Sequence, residues 1–225
     1  MVSGVADDLA DWLADRLGHR PADVAPYQQA LTHSSTGAAD YQRLEFLGDR
    51  VLGLVVSEWL FMLFPDEPEG KLSRRANALV SGETCAEIAR ELGVPARLRL
   101  GKQARDDGAA QSDYVLGDAV EALIGALYLD MGLDAARAFI RHAWGDRATR
   151  HGAAPKHPKS ALQELAAAKN WRVPVYAMTG RSGPHHAPVF TVTVTIPGRA
   201  EAQATGSSKQ EAETAAAKAL LDELS

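Results

Sequence analysis

The sequence predicts an all-α domain followed by a small α+β domain of order α-β-β-β-α. Three observations predict it. Apolar residues recur at three- and four-residue spacing through the first two thirds of the chain, then give way to a β-branched run with period two. Between them, Arg147 to Lys159 reads RATRHGAAPKHPK, polar with two prolines and a glycine and no apolar period. The charge also changes there: Met1 to Pro155 carries 16 basic and 23 acidic residues, whereas Lys156 to Ser225 carries 8 and 6. The expected division is residues 1–150, a linker at 151–158, and residues 159–225.

In chain order, Leu9, Leu13 and Leu17 share one helical face, and helices follow at Leu44 to Phe64, Cys85 to Leu92 and Val115 to Leu129. The stretch from Leu44 to Phe64 is apolar around most of its circumference, which predicts a helix buried on nearly every side, with Pro65 helping to end it. Downstream, Ser160 to Lys169 reads as a short helix. Val189 to Ile196 is a strand ending in the turn pair Pro197-Gly198, with flanking strands at Val173 to Thr179 and Ala200 to Thr205. Ser207 or Ser208 is placed to cap a last helix with the stripe Ala212, Ala215, Ala216, Ala219 and Leu220.

The 225 residues are 46% hydrophobic and 24% charged, which excludes collagen, coiled coil and wholesale disorder. No run of eighteen apolar residues appears, and Asp7, Asp8, Asp11 and Asp15 lie where a secretory signal is basic and then apolar. Neither membrane anchoring nor export is expected. One cysteine, Cys85, can form neither an intramolecular disulfide nor a cysteine-rich zinc site, so the expected setting is the reducing cytoplasm.

Four carboxylates stand inside the two most apolar helical segments. Glu45 and Asp49 are four apart in QRLEFLGDRVL, and Asp118 and Glu121 are three apart in LGDAVEALIGALYLD, so each pair lies on one helical face. An ionised carboxylate costs several kcal/mol to desolvate, so such residues need counter-charges or a metal. Arg43 and Arg50 are the cations of the first segment, and none adjoins the second pair. All-oxygen ligation favours a hard ion, Mg²⁺ or Mn²⁺. A second reading stands beside it: Glu45 pairs with Arg43 or Arg50, Asp118 caps a helix after Gly117, and Glu121 is solvated. A di-iron bundle needs Glu-x-x-His on two helices, and no glutamate here has a histidine three residues on.

QRLEFLGDRVLGL from Gln42 to Leu54 resembles the signature of the ribonuclease III family. ALTHSS at Ala30 to Ser35, EGKLS at Glu69 to Ser73 and GDAVEALIGALYLD at Gly117 to Asp130 follow in that family's order. The resemblance implies an all-helical, homodimeric endonuclease domain that cleaves double-stranded RNA with Mg²⁺, Mn²⁺ substituting, and no nucleotide cofactor. It implies metal ligation by Glu45, Asp49, Asp118 and Glu121, catalytic roles for Asp49 and Glu121, assistance from Glu69, and a dimer contact at Phe46. Products with 5′-phosphate and 3′-hydroxyl ends, from ribosomal and other structured precursors, are implied as well. One position departs: Gln42 stands where the family commonly has an acid. His33 reads as a packed or helix-terminal residue rather than a base.

The second domain, with Lys159 to Glu164, GPHHAPVF at Gly183 to Phe190 and GSSKQEAE at Gly206 to Glu213, is similar to a double-stranded RNA-binding domain. Such a domain reads A-form shape across two minor grooves and the phosphates between. The resemblance implies RNA contacts at Gln163, Glu164, His186, Ser208 and Lys209, with Gln210 where a second basic residue is common. Ser208 and Glu211 also spell a capping box. The rival from another class is a non-catalytic double-stranded RNA-binding dimer, whose mark would be a lost carboxylate. A small-molecule metal hydrolase is the third, and no Walker A, G-x-G-x-x-G, H-E-x-x-H or G-x-S-x-G motif supports it.

Overall fold

The computed structural model describes residues 2–150, 158–183 and 188–224, the first six of these by backbone alone. The chain forms two compact units, residues 1–155 and 156–225. No helix among the described residues is long and apolar enough to cross a membrane.

The first unit contains α1 (Val2–Leu17), α2 (Ala25–Ala30), α3 (Gln42–Leu63), α4 (Glu69–Leu79), α5 (Gly82–Leu92), α6 (Lys102–Asp106), α7 (Asp113–Trp144) and α8 (Arg147–Arg150). Its core is built where α3 and α7 cross. Leu52, Val55, Val56 and Leu60 from α3 are buried with Leu116, Val120, Leu123, Ile124 and Leu127 from α7. Glycine permits the approach: a Cβ on Gly48 would stand 1.7 Å from the carbonyl oxygen of Glu121, and one on Gly125 would stand 2.3 Å from that of Leu44. The backbones touch, and no other residue fits either place.

Other elements brace this crossing. Ser81 Oγ accepts the Thr84 N–H at 3.2 Å to start α5, and Gly93, with φ of 80°, closes it. Buried Arg75 on α4 donates from Nε and Nη2 to Glu67 at 2.8 and 2.9 Å and stacks over the Phe64 ring at 3.9 Å, fixing the turn after α3. Helix α7 kinks at Gly132 (φ 79°, ψ −175°), and its far end is held by Trp144 Nε1 donating to the Leu79 carbonyl at 2.7 Å.

Helix α3 departs from expectation. Rather than being buried on nearly every side, it leaves Phe46, Leu54 and Phe61 exposed at 64, 57 and 71%. With Arg50 and Ser57, also exposed, they form one stripe at i, i+4, i+8, i+11 and i+15. Apolar circumference reports what a helix can bury, not what one chain covers. The polar stretch from Arg147 likewise begins inside the first unit: α8 buries Ala148, and Arg147 pairs with Glu91 at 2.5 Å and Glu87 at 3.6 Å.

The second unit runs α9 (Pro158–Ala168), β1 (Val175–Ser182), β2 (Val189–Ile196), β3 (Ala200–Gly206) and α10 (Lys209–Leu224). The three strands pair antiparallel in the order β1-β2-β3, with a bulge between Met178 and Gly180. Strand β1 begins two residues later than expected because Pro174 lacks an N–H for the ladder. Val192, Val194 and Ile196 alternate inward, packing with Leu162 and Ala166 of α9 and with Ala212, Ala216, Ala217 and Leu220 of α10. Ala217 is buried where Ala215 was expected to be.

Gly48→Ala should lower folding stability by on the order of 3 kcal/mol or more, because a methyl group there overlaps helix backbone rather than a movable side chain. Chemical denaturation followed by circular dichroism measures it, and a change under about 1 kcal/mol would show that the crossing is not this tight.

Candidate active site

The close crossing brings three carboxylates together. Glu45 on α3 and Asp118 and Glu121 on α7 offer oxygens that all lie within 4.8 Å of one another, each side chain half-buried. Glu45 lies three residues before Gly48 and Glu121 four before Gly125, so the two contact glycines set the separation of the two carboxylate-bearing turns. No other such cluster of three occurs among the described residues.

Two parts of the alternative structural reading, the Asp118 cap and a solvated Glu121, do not fit. Asp118 is five residues inside α7, whose N-cap is Ser112, so it caps nothing. Glu121 is turned inward against Cys85, whose thiol points to Oε1 at 3.9 Å. Burial first, then the charges of Asp118 and Glu45, push the Glu121 carboxyl up to about 7, while Arg50 opposes them. Burial raises Asp118 too, against the bond from Tyr41 and the proximity of His33. Glu45 rises by burial and by its nearness to Asp118, with Arg50 again opposing. The charge of Arg50, from the first helix, therefore acts on Glu121 of the second pair, which spacing along the chain could not reveal.

Asp49 stands apart from the cluster. Its carboxylate pairs with the neighbouring Arg50, whose guanidinium also lies over the Phe46 ring at 5.3 Å. Glu69 begins α4 and accepts the Ser73 hydroxyl at 2.6 Å, also outside the cluster. Gln42 is exposed at the first residue of α3, its N–H bonded to Asp40. His33 precedes a short 3-10 turn, Ser34–Thr36, and its Nδ1 accepts the Ser35 N–H at 3.1 Å.

Two neighbours of the cluster escaped sequence reasoning. Tyr41, buried just before α3, donates its hydroxyl to Asp118 Oδ2 at 3.3 Å. Burial, and after it the charge of Asp118, pushes the Tyr41 phenol up, so it stays a donor. Cys85 is buried against Glu121, and burial drives its thiol up to about 12, which keeps it neutral. The available signal was the tyrosine preceding the carboxylate-bearing helix. An all-oxygen set with raised carboxyl groups and little local positive charge suits a hard divalent cation.

In the second unit, Gln163 and Glu164 are exposed side by side on α9. Lys209 opens α10 and lies 3.8 Å from Glu213, which also takes Lys159 at 2.7 Å. Ser208 is the cap: its Oγ accepts the Glu211 N–H at 3.1 Å, while Glu211 accepts the Ser207 N–H at 2.8 Å. His186 falls outside the described residues.

Residues 25–146 match the family model described as Ribonuclease-III-like, and residues 158–224 match the double-stranded RNA binding motif. The chain is 62% identical over 216 residues to a protein named Ribonuclease 3 from Zymomonas mobilis, covering 96% of this chain and 88% of that one. It is 50% identical over 210 residues to another Ribonuclease 3, from Dinoroseobacter shibae, with 92% of each covered. The nuclease domain of ribonuclease III from Campylobacter jejuni, described as flexible in a region involved in dimer formation, aligns with a TM-score of 0.59 and 33% identity. That alignment covers 62% of this chain and 98% of that one. With both units matched in order and relatives spanning nearly its whole length, the chain belongs to the ribonuclease III family of double-strand-specific endoribonucleases.

Proposed function

We propose that the chain is a Mg²⁺-dependent endoribonuclease, active as a homodimer, that hydrolyses double-stranded RNA to 5′-phosphate and 3′-hydroxyl ends. The observation that carries the reading is the meeting of Glu45, Asp118 and Glu121 within 4.8 Å across two helices. These three would hold the cation, with Asp49, one turn after Glu45, as a further ligand. When bound, a hard divalent cation supplies Lewis acidity, activating water and offsetting the charge that builds on the scissile phosphate. Glu69 assists at the cleavage site. Mn²⁺ substitutes because it accepts the same oxygen ligands.

The exposed stripe of Phe46, Leu54 and Phe61 supports a second copy of the chain as its cover, with Phe46 at the contact. In the second unit, Gln163 and Glu164 meet minor-groove hydroxyls, His186 reaches the next groove, and Lys209 with Ser208 holds phosphates at the start of α10. Glu213 offsets part of the Lys209 charge, so phosphate affinity is modest. Ribosomal and other structured precursors are the proposed substrates. A reducing, cytoplasmic setting is part of the proposal, in keeping with a single cysteine that is a free, buried thiol.

Asp118→Asn or Glu121→Gln should lower cleavage of a long RNA duplex in Mg²⁺ by about 100-fold or more while duplex binding stays within about twofold. Lys209→Ala should do the reverse, weakening duplex binding with the Mg²⁺ dependence unchanged. Gel-shift and cleavage assays separate the two, and near-parental cleavage by either carboxylate variant would refute the reading. Phe46→Glu should convert the dimer to monomer, read by sedimentation equilibrium.

Stability should follow pH in a specific direction. Because the Glu121 carboxyl rises from an ordinary 4.5 to about 7, the folded chain binds more protons than the unfolded one across that window. Without divalent cations, stability therefore falls as pH rises through it. Glu121→Gln should remove that part of the fall, raising stability near pH 8 by on the order of 1 kcal/mol after discounting for partial exposure. Mg²⁺ should raise the Tm of the parent there, but not of the variant, in a thermal melt.

A further inference from the structure

We infer that Tyr41 is a positioning residue for the carboxylate centre, its phenol fixing the Asp118 carboxylate of α7 while its carbonyl anchors the turn of α3 that carries Glu45. The inference rests on the reading of that centre as a divalent-cation site. Tyr41 is bonded at each of its polar groups. The carbonyl accepts the N–H groups of Leu44 and Glu45, each at 2.9 Å. The N–H donates to the Thr32 carbonyl at 3.0 Å. The hydroxyl donates to Asp118 Oδ2 at 3.3 Å, across 77 residues of sequence. One residue thus fixes both ligand-bearing helices.

The ring is held as firmly as its ends. Tyr41 is 4% exposed, and its ring meets that of His33 edge-on, with centroids 5.8 Å apart. His33 is in turn fixed by Ser35, whose hydroxyl lies 2.8 Å from Nδ1 and accepts the Gly101 N–H at 3.0 Å. The backbone of that segment is tied down as well, with the His33 N–H donating to the Arg99 carbonyl at 3.0 Å. A carboxylate gripped on one oxygen keeps the other for a cation and has fewer rotamers to lose on binding one.

Tyr27 supplies the control. It too is a buried tyrosine whose hydroxyl donates to a carboxylate, Asp130 Oδ2, at 2.9 Å, but Asp130 is not among the clustered carboxylates. Tyr41→Phe and Tyr27→Phe remove the same kind of bond, one at the centre and one away from it. Mn²⁺ binding to the full chain without RNA, followed by electron paramagnetic resonance, reads the difference. Tyr41→Phe should weaken Mn²⁺ binding by about tenfold and raise the Mg²⁺ concentration for half-maximal cleavage by a similar factor. Duplex binding should not change, and Tyr27→Phe should keep parental Mn²⁺ affinity even where its Tm falls. Parental affinity in Tyr41→Phe, or an equal loss in both variants, overturns the inference. If Asp118→Asn binds Mn²⁺ as well as the parent, the cation reading itself fails and takes the inference with it; if Asp118→Asn loses binding and Tyr41→Phe does not, the inference alone fails.

Discussion

The centre depends on two helices being allowed to touch at their backbones. Ordinary packed helices keep their axes 8–10 Å apart because side chains intervene. At Gly48 and Gly125 none does, and each glycine faces a carbonyl of the other helix. Glu45 and the Asp118–Glu121 pair ride on the turns beside those glycines, so the separation of the carboxylates follows from the approach of the backbones. The apolar core at the crossing holds the helices together against the cost of burying these acids.

Burial raises the carboxyl groups of Glu45, Asp118 and Glu121, and the charge of neighbouring acids adds to the rise at Glu45 and Glu121. A fold selected only for stability would place leucine or alanine at such positions, as it does at Leu116 and Ala122. Keeping acids there costs stability in a well-packed unit, and a cation held among them would offset that cost. Tyr41 and Arg50 moderate the tension without ending it, one by a neutral donor and one by a charge that also serves Asp49.

Much of this was legible in the sequence. The pairing of acids at helical spacing inside apolar segments singled out Glu45, Asp118 and Glu121, along with Asp49, which stands outside their cluster, and the change of period after Arg147 separated two kinds of domain. What spacing could not express was three-dimensional closeness. Gly48 and Gly125 look like ordinary helix-weakening residues until the partner helix is in view. Tyr41 has no charge to draw attention, and Asp49 shares the periodicity of Glu45 yet turns to Arg50. Leu54 and Phe61 were read as core because a one-chain view assigns every apolar face to the interior, and only the family resemblance set Phe46 apart as a dimer contact. Errors in the second unit were smaller and local: Pro174 delayed a strand, and one alanine replaced another along α10.

The long separation between the two halves of the centre has a consequence for biosynthesis. Tyr41 and Asp118 are 77 residues apart, which at ribosomal rates of about 5–20 residues per second is roughly 4–15 s of elongation. Throughout that interval the α3 segment lacks the helix against which Leu52, Val55 and Val56 pack in the folded chain. The three clustered carboxylates can meet only after the second segment has been made.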